Sequence, residues 1–176
     1  MDKVKKPLDN EEFLSKLKRY SAEVRRDRRL SGTDVVTTTI HSLQLCGSRL
    51  TLDAVIEAGR VQSIGYRVRA CSLGQATTAI IAERAPGMNA ADLQAVQNQL
   101  EQILHGYVPS DDALIWPELA IFQHAATMPA RHGSALLPFR GLQKLFEKKN
   151  ALDESLQKQA NDYIPTGDLR WFRMSS

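Results

Sequence analysis

Residues 35–77 read VVTTTIHSLQLCGSRLTLDAVIEAGRVQSIGYRVRACSLGQAT, and this stretch decides the fold. Its opening, Val35 to Leu45, is dense in β-branched residues and predicts a strand. Arg49 to Glu57 alternates, with Leu50, Leu52, Ala54 and Ile56 on one face. Ala58-Gly59-Arg60 is a turn, and Val61 to Ala70 alternates again through Ile64, Tyr66, Val68 and Ala70. Connections this short favour antiparallel hairpins, so the stretch predicts a three-stranded meander. Cys46 and Cys71, the chain's only cysteines, stand at two ends of it. Two soft ligands meeting at a strand-to-helix junction is the geometry of a metal or sulfur-handling site. Two buried structural cysteines can share that geometry.

Helices are predicted on either side. Before the meander, Phe13, Leu17, Tyr20 and Val24 fall at helical spacing within Glu11 to Arg29, among many lysines and arginines, and Ser31-Gly32 closes the run. After Cys71, Ser72 to Arg84 predicts a helix that Pro86-Gly87 stops. Asn89 is an N-cap candidate for a next helix carrying Leu93, Val96, Leu100, Ile103 and Leu104. Trp116 to Ala126 predicts a further helix with Pro117 in its first turn. Gly133 and Pro138 interrupt Met128 to Asn150, which predicts an irregular entry followed by a helix. Beyond Asn150 the chain is polar, with Ala151 to Tyr163 a further helical candidate, and Trp171 and Phe172 in the tail are expected to dock. The expected class is α+β: an amino-terminal helix, the antiparallel meander, then several helices packed on one face. Residues 1–150 are expected as a single domain and 151–176 as a carboxy-terminal extension.

Composition narrows the function. Of 176 residues 43% are hydrophobic and 24% charged, ordinary for a soluble globular protein. A net charge of +3 and 6% aromatic residues give little support to a nucleic-acid partner. No run approaches the roughly 18 apolar residues that span a bilayer. Two cysteines and no apolar amino-terminal run point to a reducing, cytoplasmic setting.

With the meander and both cysteines in place, the pattern resembles the U-type iron–sulfur cluster scaffolds: IscU, SufU and the amino-terminal domain of NifU. Cys46-Gly47-Ser48 followed by Arg49-Leu50-Thr51-Leu52 matches the family's first cysteine element, Glu57-Ala58-Gly59-Arg60-Val61 its hairpin, and Ala70-Cys71-Ser72-Leu73-Gly74 its second cysteine element. Met128-Pro129-Ala130-Arg131-His132-Gly133-Ser134 resembles the third, with Gly133 or Ser134 standing at the cysteine position depending on register. In either register the third cysteine is gone, and Ser48 replaces the acidic residue of the first element. The Asn-Pro segment before the first strand is absent, and the chaperone-recognition segment is only echoed by Met128 to Arg131.

The resemblance implies a scaffold that binds iron or a transient iron–sulfur cluster without being an enzyme. It implies a cysteine desulfurase and cluster-acceptor proteins as partners, while composition gives the expectation of neither nucleic acid nor membrane. A metal centre wants about four ligands. Cys46, Cys71 and His132 are the candidate ligands for an iron–sulfur cluster, iron or zinc, with water, Ser48 or Ser134 as a weak fourth. The competing expectation is an interaction or regulatory module of the assembly machinery whose degenerate site carries no cluster.

Overall fold

The computed structural model describes residues 9–42 and 47–162. The first element, α1 (Asn10–Glu23), begins where the Asp9 carboxylate accepts the Glu12 N–H at 2.8 Å. Phe13, Leu17 and Tyr20 form its buried stripe. The helix ends six residues before the Arg29 that the apolar spacing predicts. The reason is competition. Arg28 and Tyr66 exchange two backbone hydrogen bonds, of 2.9 and 2.6 Å, and the Arg29 guanidinium grips the Asp53 carboxylate at 2.6 and 2.9 Å. Another helical turn would instead crowd Arg25, Arg26, Arg28 and Arg29 together, where like charges repel.

The sheet comprises β1 (Val35–His41), β2 (Arg49–Glu57) and β3 (Arg60–Arg69), antiparallel in that order. The expected meander is therefore present. Ile40, Leu50, Leu52, Ala54, Ile56, Ile64, Tyr66 and Val68 are all buried in the single core that the sheet shares with the helices. On the opposite face Thr37, Asp53 and Gly65 align across the three strands. A Cβ at Gly65 would lie 2.7 Å from the Leu30 nitrogen and 2.8 Å from the Arg28 carbonyl oxygen. Glycine there lets residues 28–30 cross the sheet and cover Asp53, which is 0% exposed.

Burial alone would raise the Asp53 carboxyl's pKa. The Arg29 guanidinium, the Thr37 hydroxyl at 2.7 Å and the Leu30 N–H at 3.0 Å outweigh it and hold the group below its ordinary value.

Three α-helices and two 3₁₀ segments complete the described fold. α2 (Ser72–Arg84) and α3 (Ala90–Leu104) match the sequence expectation, and Asn89 and Asp92 bond reciprocally as a capping box. The helix expected over Trp116 to Ala126 is present at residues 117–127, wound as a 3₁₀ helix. Its three-residue turn lines up Leu119, Phe122 and Ala125, and all three are buried. α4 (Pro129–Asp162) is one continuous helix of 34 residues, which corrects the expected irregular entry. Pro129 suits a first helical turn. Pro138 lies inside and removes one backbone bond, while buried Leu136, Leu137, Phe139 and Leu142 anchor the helix around it. α4 passes Asn150 without a break. Among the described residues, no helix is long and apolar enough to cross a membrane. Trp171 and Phe172 lie outside the described residues.

Candidate functional site

Cys71 occupies the N-cap of α2, two residues past the end of β3, with extended backbone angles (φ −66°, ψ 167°). Its side chain makes no capping bond. Sγ instead donates to Ser134 Oγ at 3.2 Å. Ser134, on the second turn of α4, also hydrogen-bonds with Ser48 across 3.1 Å between hydroxyl oxygens. Ser48 directly precedes β2, so three separate parts of the chain bring one thiol and two hydroxyls together. Both serines are buried, while Cys71 is only partly covered.

Gly74 makes this convergence possible. A Cβ there would sit 2.6 Å from Ser134 Oγ and 2.9 Å from the Ser134 carbonyl oxygen. That carbonyl is the acceptor that Pro138, four residues on and without an N–H, leaves unbonded within α4. Small size at Gly74 and a missing donor at Pro138 thus meet at one point. The start of α2 is further held by Ser21 Oγ donating to the Ser72 carbonyl at 3.2 Å and by Gln75 Nε2 donating to the Ala70 carbonyl at 2.9 Å. Outside, Cys71 borders a shallow cavity of about 580 Å³ lined also by Val24, Arg25, Val68, Arg69 and Gln75.

His132 does not join this cluster. Its Nε2 lies 2.8 Å from the Ala125 carbonyl oxygen, and its ring meets His105 edge-on at 6.0 Å. The physical reason is helical phase: residues two apart on a helix point about 200° from one another, so Ser134 and His132 face different neighbours. Cys46 lies outside the described residues. Among the described residues, no three His, Cys, Asp or Glu side chains are grouped to hold a metal ion. His124 stacks on Phe13 at 4.6 Å, and His41 ends β1 at the surface. Sequence reasoning missed the Gly74–Ser134 approach and the Asp53–Arg29 tie. The only local signal for the tie was a lone acid inside an alternating strand.

No family model matches the chain, and comparison with curated proteins finds no match. Solved structures do match. A nitrogen-fixing NifU-like protein (amino-terminal part) from Brucella abortus is similar at a TM-score of 0.64 and 26% identity, over 77% of this chain and 92% of that one. The chain has the U-type scaffold fold. A second U-type structure, described as an iron–sulfur cluster assembly scaffold for the SUF system from Fervidobacterium islandicum AW-1, has a TM-score of 0.63. It shares 17% identity over 74% of this chain and 93% of that one. In this chain's version of the U-type fold, Cys71 and Ser134 come from its strand-to-helix junction and its last described helix.

Proposed function

We propose that this protein is a scaffold-type carrier for iron–sulfur cluster assembly. It takes iron or a nascent cluster as cargo on Cys71 and Cys46 and passes it to an acceptor protein, without catalysing a reaction of its own. A cysteine desulfurase is the partner that supplies sulfur. The observation that carries this reading is Cys71 itself: a partly exposed thiol, on a U-type fold, at the start of a helix. A thiolate is the form of cysteine that ligates iron or accepts sulfur.

The donor set fits a loosely held cargo. Ser134 offers a hydroxyl 3.2 Å from Cys71 where a thiolate would bind far more strongly. Ser48 is a second weak donor, buried behind it. Such a pocket suits transfer better than storage, and a closed four-ligand zinc site has no support among the described residues.

The test is anaerobic reconstitution with iron and sulfide, read by metal and sulfide content and by absorbance at roughly 300–500 nm. Wild type should gain a cluster spectrum that Cys71→Ser and Cys46→Ser each lose. Ser134→Cys should retain the cluster longer against a chelator. Identical, metal-free behaviour of wild type and both serine variants would overturn the proposal.

One observation favours a second reading, an interaction module with a degenerate site. The Ser134 hydroxyl is buried and already hydrogen-bonded with both Cys71 and Ser48. That reading expects binding to a desulfurase that persists when both cysteines are replaced by serine.

A further inference from the structure

The outer face of the sheet holds an arrangement that the fold does not require. His41, Arg49 and Arg69 stand directly opposite one another on β1, β2 and β3. Cross-strand neighbours lie about 5 Å apart, and the like charges of Arg49 and Arg69 so placed destabilise a sheet. All three are exposed, Arg69 with 63% of its side chain free. Arg67, two residues before Arg69, adds a further cation to this corner.

One carboxylate answers them. Asp27 accepts from Arg67 at 2.8 Å and from Arg69 at 3.1 Å. Among the described residues no ion pair engages Arg49 or Arg25, while Arg29 is committed to Asp53. Arg25 and Arg69 also wall the cavity that Cys71 borders, so the cationic corner runs onto the thiol. The chain as a whole carries only +3, so charge is concentrated here.

We propose that this corner is a docking surface for a carboxylate-rich segment of a partner protein, and that it seats that segment beside Cys71. The outward-facing residues of the three strands are Val35, Thr37, Thr39 and His41, then Arg49, Thr51, Asp53 and Val55, then Ser63, Gly65, Arg67 and Arg69. No phenylalanine, tyrosine or tryptophan is among them. A single-stranded nucleic acid would find no such ring to stack on, whereas carboxylates need only the guanidinium donors. The inference rests on charge layout and not on cargo, so it is tested on metal-free protein and stands apart from the carrier proposal.

The experiment is fluorescence anisotropy with a labelled Glu-rich peptide of about a dozen residues and an oligothymidylate of equal length, each at two salt concentrations. Wild type should bind the peptide more tightly than the oligothymidylate, and salt should weaken that binding. Arg49→Glu with Arg69→Glu should lower peptide affinity about tenfold or more. Arg49→Gln should give a smaller loss, with thermal melting confirming that each variant folds. Bound peptide should slow alkylation at Cys71, read by peptide mapping that separates it from Cys46. Absence of peptide binding at low salt, affinity unchanged by the double charge reversal, Cys71 alkylation unaffected by bound peptide, or tighter binding of the oligothymidylate would each overturn the inference.

Discussion

Asp53 joins three parts of the chain through one carboxylate: β2 that bears it, β1 through Thr37, and residues 29–30 before the sheet. Because its folded pKa is depressed, its stabilisation is fully present above the ordinary aspartate value near about 4 and is lost as pH falls through the folded value. Replacing it by Asn leaves Arg29 without its partner, and should cost about 3 kcal/mol in urea unfolding at neutral pH. The acid limb of the stability profile should flatten in the same variant. Gly74→Ala should cost about 1–3 kcal/mol by forcing a methyl group against Ser134. Adding Ser134→Ala should recover only part of that loss, because the Ser134 carbonyl oxygen stays 2.9 Å from the new Cβ. Cys71, Ser48 and Ser134 were legible in the sequence as candidates because a motif fixes their order along the chain. His132 stands apart from Cys71 and Ser134 because helical phase turns its ring toward Ala125, and that phase follows only from the unbroken start of α4.

Between β2 and β3 the tight turn places Ala58 at φ 48° and Gly59 at φ 70°. Glycine adopts that region freely, whereas alanine crowds its Cβ against the backbone. Ala58→Asn or Ala58→Gly should therefore stabilise the protein by about 1 kcal/mol, seen as a raised urea midpoint with an unchanged slope. Elements with strong local punctuation were the readable ones. α2 lies between Cys71 and Pro86-Gly87, and α3 opens on the Asn89–Asp92 box, so their limits follow from nearby residues. The end of α1 was hidden because partners far along the chain, Tyr66 and Asp53, take over Arg28 and Arg29. Pro138 reads as a breaker by local rules, yet the apolar residues around it are buried tightly enough to keep one helix.

Across the molecule, α4 does two things. Its first half packs against α2, α3 and the sheet. Its second half is largely exposed: Lys148 Nζ still reaches the Thr37 carbonyl at 3.0 Å, and from Glu147 to Asp162 only Lys149 and Asp153 are half-buried. Leu156→Pro should lower the helical signal in far-ultraviolet circular dichroism while moving the unfolding free energy of the body by less than about 0.5 kcal/mol. A shift of several kcal/mol would show that this segment contributes to the core.

Beyond Lys148, residues 149–162 of mostly exposed helix extend about 21 Å. Drag on such a boom grows with reach rather than with mass. A single chain of 19.6 kDa should therefore leave a sizing column ahead of spherical standards of its own weight, and light scattering of the same peak separates that drag from association.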